Sequence, residues 1–145
     1  MCCEHGVIIK ATRQKSLTFH MDTKEIGNFG ESTAAEYLRK NGFKIRARNV
    51  GRKTGEIDII AEQKGTLHFV EVKTLSVSEF KTGESSDDYN PAMNIHEAKI
   101  RHIARTAEWY VAEIDWEGEW QLDAVLVWMR TRDGATKVEY IPQII

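Results

Sequence analysis

GEIDIIAEQKGTLHFVEVKT, residues Gly55 to Thr74, decides how this chain reads. Two apolar runs, Ile57–Ala61 and Leu67–Val72, flank the polar break Glu62-Gln63-Lys64-Gly65-Thr66. Short β-branched runs on either side of a glycine-containing turn predict a hairpin. A turn centred on Lys64-Gly65 pairs Gln63 with Thr66 and Glu62 with Leu67. The same register, continued, sets Asp58 opposite Glu71 and Glu56 opposite Lys73. Side chains alternate along a strand, so Glu56 and Asp58 share a face, as do Glu71 and Lys73. Four charged side chains then converge on one patch of sheet.

Such a patch is costly, because directly opposed like charges destabilise an antiparallel pair. A bound divalent cation removes the conflict, since hard cations seek carboxylate oxygens held close together. Lys73, two residues beyond Glu71, then stands beside the ion as a fixed positive charge. It can stabilise charge developing on a phosphoryl group, or orient or deprotonate an attacking water. The alternative is an ordinary edge hairpin whose polar face is solvated, with Glu56–Lys73 as a rim salt bridge.

An Asp on one strand, then a tight turn and Glu-x-Lys on the next, resembles the PD-(D/E)xK nuclease superfamily. More closely, the ordered blocks Gly30-Glu31, Arg48-Asn49, Gly55-Glu56-Ile57-Asp58-Ile59-Ile60-Ala61 and Phe69-Val70-Glu71-Val72-Lys73 resemble the YraN family of predicted endonucleases. The likeness runs from Lys24 to Arg130. It implies an α/β, restriction-endonuclease-like fold: a mixed β-sheet with flanking helices. It implies Mg²⁺ or Mn²⁺ held by Asp58, Glu71 and the Val72 carbonyl, with Lys73 catalytic and Glu31 assisting directly or through water. Glu56 is expected at most to orient Lys73. The implied substrate is nucleic acid, DNA ahead of RNA, and the superfamily's junction resolvases extend this to branched DNA by fold analogy alone. The competing function is a nucleic-acid-binding module of the same fold with weak or absent cleavage, acting with a DNA repair or uptake partner. A two-fold homodimer would suit paired cuts in a symmetric junction.

The segment before the hairpin carries the clearest charge asymmetry. Arg39, Lys40, Lys44, Arg46, Arg48, Arg52 and Lys53 have no acid among them, leaving 13 of the chain's 20 basic residues elsewhere against all 22 acidic ones. The net charge of −2 argues against a generic nucleic-acid coat, whereas a local basic stripe leading into a carboxylate cluster suits a polyanion beside a metal. Phe43–Arg48 alternates as a strand with Lys44, Arg46 and Arg48 on one face, and Arg46, Arg48, Arg52 and Lys53 are the expected nucleic-acid contacts. Gly51 stands where the YraN pattern commonly has an Arg.

The remaining segments read as scaffold. A helix is expected from Thr23, as N-cap, to a stop at Gly42, with Ile26, Phe29, Gly30, Thr33, Ala34, Tyr37 and Leu38 along its buried stripe. Residues 75–91 read as a polar loop with four acids, and a longer helix is expected over 92–114. Lys99 on that helix falls where the family pattern has a lysine, which implies a place near the site and a phosphate contact. Residues 120–129 and 138–141 read as strands. Asp123, in Gln121-Leu122-Asp123, stands where the pattern favours Arg-x-Asp and reads as a structural acid. The histidines read as non-catalytic, and the four tryptophans as packing.

Length and composition bound the rest. The 145 residues, 41% hydrophobic and 29% charged, describe one globular domain with a genuine core. Residues 1–22 differ in character and read as a flexible extension ahead of a nuclease-like domain over 23–145. Adjacent Cys2 and Cys3 cannot staple a fold, and no zinc-finger spacing occurs. No stretch reaches membrane-span length and no secretory signal is evident, so a cytoplasmic protein without membrane contact is expected.

Overall fold

The computed structural model describes residues 7–9, 21–80 and 97–145. The elements are β1 (Val7–Ile9), α1 (Thr23–Lys40), β2 (Lys44–Arg52), β3 (Gly55–Gln63), β4 (Thr66–Val77), α2 (Glu97–Glu113), β5 (Glu119–Arg130) and β6 (Thr136–Ile141). They form one sheet in the order β1-β6-β5-β4-β3-β2. Only β4 and β5 run parallel, joined through α2, and the other neighbours are antiparallel. This is the α/β mixed sheet with flanking helices that the sequence leads one to expect.

Alternation along β4 explains how two helices cover the sheet. Val70 and Val72 pack with Ala34, Ala35, Tyr37 and Leu38 of α1, while Leu67 and Phe69 pack with Ile103 and Ala107 of α2. One helix therefore covers each face. The largest of these side chains are fully buried, each stabilising the fold by roughly 1.5–3 kcal/mol relative to exposure.

The hairpin follows the expected register from Gln63–Thr66 through Ile59–Val70. Lys64 (φ 51°) and Gly65 (φ 78°) both adopt positive φ, as a two-residue type I′ turn demands. Beyond Ile59–Val70 the β3–β4 pairing ends. The cause lies on β3's other side, where the β2–β3 register steps from Arg48–Ile59 to Val50–Ile57, passing over Asn49 and Asp58. Asn49 has φ 52° there. Ile59 faces α1 while Ile57 faces α2, so alternation resets at Asp58 and the strand leaves its β4 partner.

Several expectations change. Asp22, not Thr23, caps α1, its Oδ1 accepting the Glu25 N–H at 2.8 Å. Residues 75–77, read as loop, extend β4, which pairs with β5 as far as Val77–Arg130. Val7–Ile9, read as part of a flexible extension, pairs with β6 as an edge strand. Residues 1–6 and 10–20 of that extension, the acidic loop beyond residue 80 and the start of the expected second helix lie outside the described residues. Among the described residues no helix is long and apolar enough to cross a membrane.

Close approach of α1 to β4 depends on Gly30. A Cβ there would meet Thr74 Oγ1 at 1.7 Å and Thr74 Cβ at 2.8 Å. Rotating the threonine cannot move its Cβ, so the helix must shift. Gly30→Ala is expected to lose about 2–3 kcal/mol of stability, with Thr74→Ala recovering part of it in the double variant. Urea midpoints of the four proteins check this, and an unchanged midpoint for Gly30→Ala refutes it.

Candidate active site

Where β3 leaves β4, Asp58 turns its carboxylate into the gap and Oδ2 accepts the Val72 N–H at 2.8 Å. Glu71, one residue earlier on β4, is almost fully buried and hydrogen-bonds the Asp58 carboxyl. Lys99, reaching from α2, ion-pairs with Glu71 Oε1. Lys73 shares Glu71's face by strand alternation and, among the described residues, makes no hydrogen bond or ion pair. The predicted Asp58–Glu71 pair is therefore assembled, although by side-chain contact rather than by continued strand pairing.

Glu31 approaches from α1, on the opposite side of the sheet. Arg48 Nη2 lies 4.0 Å from Glu31 Oε2 and 3.3 Å from the Ser32 hydroxyl. Asn49 hydrogen-bonds the Glu31 carboxylate, which gives the positive-φ residue a local role. Among the described residues no three His, Cys, Asp or Glu side chains cluster closely enough to cage an ion. Direct ligation by Glu31 is thus not formed here, and its link to Asp58 is through charge.

The electrostatics report crowded anions. Burial first, and then the Glu71 charge, push the Asp58 carboxyl up to about 7, against the pull of the Val72 N–H and of Lys99. Glu31 is also raised, by burial and then by Asp58, with Glu56 adding to this while Arg48 and Asn49 oppose it. Burial works against the Lys99 charge, yet its bond to Glu71 and the nearby carboxylates hold its pKa above that of an ordinary lysine. A half-buried carboxylate pair that must keep a proton, or borrow a lysine, is the donor set a hard divalent cation fits.

Other expected residues lie elsewhere. Glu56 pairs in register with Gly51 on β2, and it makes no ion pair with Lys73 among the described residues. The β3–β4 ladder has already ended at that level, which removes the expected orienting contact. Arg46 sits at the register shift of β2, and that bulge breaks the expected common face with Lys44 and Arg48. Its guanidinium donates to Glu62 Oε1 at 2.6 Å and lies 5.5 Å from the Trp116 ring. Glu62 is four residues from Asp58, or about 13 Å along the strand, so Arg46 is not brought to the site. Arg52 and Lys53 lie past it, at the β2–β3 turn, lining a groove with Thr54, Arg105 and Trp109. Trp109, read as packing, and Arg105 come to the turn only through docking of α2, which local patterning does not show.

Asp123 is a structural acid, and the buried imidazole of His68 is among its partners. Oδ2 accepts from Tyr140 and contacts His68 Nδ1, both at 2.6 Å, while Oδ1 accepts from Gln121 Nε2 and the Gln143 N–H. Burial alone would raise its pKa, but these bonds outweigh burial and hold it below the usual carboxylate value.

Comparison with known proteins gives a family. The profile of "Uncharacterised protein family UPF0102" matches residues 30–127. The UPF0102 protein of Caldicellulosiruptor saccharolyticus is 35% identical over 122 residues, covering 83% of this chain and 97% of that protein. The relative from Syntrophotalea carbinolica is 39% identical over 118 residues, covering 81% and 88%. A solved structure of Pyrococcus furiosus SfsA in complex with Ca²⁺ shows a distant likeness, with a TM-score of 0.33 and 14% identity over 95% of this chain and 76% of that one. With two-thirds of its length matched by the profile, and with near full-length relatives above 30% identity, the chain belongs to the UPF0102 family.

Proposed function

We propose that this protein is a metal-dependent endonuclease that hydrolyses phosphodiester bonds of nucleic acid, DNA ahead of RNA, with branched DNA among its substrates. The observation carrying this reading is the Asp58–Glu71 carboxylate pair, set at a strand break with Lys99 paired to Glu71 and Lys73 on Glu71's face of β4. Asp58 and Glu71 would hold Mg²⁺ or Mn²⁺, with the Val72 carbonyl as a third oxygen donor. A hard cation bound there supplies Lewis-acid polarisation of the phosphodiester and makes an associated water more acidic.

The chain's own groups then have distinct tasks. Lys73, without an ion pair among the described residues, places a fixed ammonium beside the developing phosphoryl charge. Lys99, which ion-pairs with Glu71, would offer its ammonium to a phosphate oxygen of the substrate if Glu71 held the ion. Glu31, steadied by Arg48 and Asn49, adds negative charge behind Asp58 and orients water on the α1 side. Water attacks phosphorus, one P–O ester bond breaks, and a phosphate and a hydroxyl end remain.

Lys73→Ala separates chemistry from ion binding. It is expected to lower the single-turnover cleavage rate about 10²–10³-fold, while Mn²⁺ affinity by calorimetry stays within about threefold, the carboxylate pair being intact. Cleavage at the wild-type rate would remove Lys73 from the mechanism. Salt-dependent DNA binding that survives chelation, with no products from wild-type protein, would favour the binding-module reading.

A further inference from the structure

The groove beside the β2–β3 turn has features that the cleavage site does not use. It encloses about 600 Å³ and is lined by Gly51, Arg52, Lys53, Thr54, Arg105 and Trp109. Its floor is fixed, because Thr54 Oγ1 and Thr106 Oγ1 lie 2.7 Å apart and Thr106 also donates to the Gly55 carbonyl at 3.2 Å, pinning the turn to α2. Arg52 is held over the Trp109 ring, its guanidinium carbon 4.1 Å from the centroid. Among the described residues Arg52, Lys53 and Arg105 have no anionic partner, so three cations face one concavity. Glu56 is a nearby acid, its Oε2 lying 3.8 Å from where a Gly51 side chain would begin.

Unpaired cations around an aromatic wall select a phosphate backbone with its base or sugar. Stacking selects the strand. A base offers its flat face to an aromatic ring or a guanidinium only when it is out of the duplex stack, and Trp109 with Arg52 over it supplies such a surface. Gly51 pairs with Glu56, two residues from Asp58, so the groove opens about 7 Å along the sheet from the carboxylate pair.

We infer that this groove holds a single strand of nucleic acid, its phosphates on Arg52, Lys53 and Arg105 and its sugar or base against Trp109, and that the substrate therefore carries an unpaired arm beside the cut. This deepens the nuclease reading and rests on it only for the arm's place next to the cut. The affinity test is independent of catalysis. Fluorescein-labelled dT16 is titrated by anisotropy in chelator from 50 to 300 mM KCl, with folded wild type, Arg105→Ala, Trp109→Ala and Arg101→Ala, each variant checked by thermal melting. Arg101 lies on the same helix but pairs with Glu97 outside the groove.

Arg105→Ala is expected to weaken binding at least fivefold and to flatten the log–log salt slope by about 0.7, the share of one single-strand phosphate contact. Trp109→Ala is expected to weaken it at least fivefold, with less change in slope. Arg101→Ala is expected to bind like wild type. No binding by wild type, equal losses for Arg101→Ala and Arg105→Ala, or displacement of dT16 by an equal nucleotide concentration of dTMP would each overturn the groove assignment. The last of these would point to a free-phosphate site. Absence of cleavage on every substrate, with this binding pattern intact, would instead refute only the nuclease reading.

Discussion

Asp58→Asn is expected to abolish cleavage, by at least about 10³-fold, while making the protein more stable. The rate follows from the proposed role, since an amide neither neutralises a dication nor replaces a carboxylate oxygen in its coordination. Stability follows from the geometry. Asn keeps an oxygen for the Val72 N–H and removes a charge that burial and Glu71 disfavour. The Asp58 carboxyl rises from 3.8 to about 7 on folding, so between those values the folded chain keeps a proton that the unfolded chain has released. By linkage, wild-type stability falls as pH climbs through that window, and the penalty is complete above 7. The Asn variant escapes it. Its gain is expected to be about 1–2 kcal/mol at pH 8 and to vanish near pH 4. Mn²⁺ should raise the melting temperature of wild type and leave that of the variant unmoved. Thermal melts at pH 4, 6 and 8, with and without Mn²⁺, measure all of this. A variant less stable than wild type at pH 8 would contradict the account of a frustrated carboxylate pair.

Asp123→Ala is expected to be the most destabilising single change, about 3–5 kcal/mol. The carboxylate is completely buried and serves four partners. Truncation would strand the His68 imidazole and the Tyr140 hydroxyl inside the α1 face, and would free the backbone N–H that anchors the C-terminal residues at Gln143. Such a loss is a large share of the 5–15 kcal/mol typical of a domain. The pH dependence has the opposite sign to that of Asp58. A folded pKa held below its usual value gives stability that is fully present above about pH 4, and that is lost as pH falls through the lowered value. Urea unfolding followed by tryptophan fluorescence at pH 7 checks the size, and a loss below about 1 kcal/mol would show the network to be dispensable.

The hairpin was legible because its determinants are local. Two β-branched runs and a turn at Lys64-Gly65 allow one good register, and that register holds through five pairs. It fails at Asp58 because the cause is on another strand: Asn49's positive φ and the reset of alternation between Ile59 and Ile57. Period-two reasoning cannot see a kink imposed from a neighbour. Lys99 was reached only through family resemblance, since its meeting with Glu71 depends on how α2 docks across about 28 residues of chain. Arg46 misled because its bulge turns it toward Glu62, where the alternation of Phe43–Arg48 places it beside Arg48. His68 left one usable signal, the even-numbered face of β4 that it shares with Val70 and Val72. Its acid partner, however, comes from a parallel strand more than 50 residues away. Local patterning thus specified most of the elements, the carboxylate pair and Lys73, while the place of Lys99 was set by tertiary docking.

The claim that this carboxylate pair makes the protein a metal-dependent nuclease is tested most directly by incubating wild type with labelled linear, flapped and four-way-junction DNA in Mn²⁺ or Mg²⁺. The account predicts products with metal, none with chelator or with Asp58→Asn, and the fastest cutting on substrates that carry an unpaired arm. Intact DNA on every substrate, together with no heat of Mn²⁺ binding by calorimetry, would contradict it.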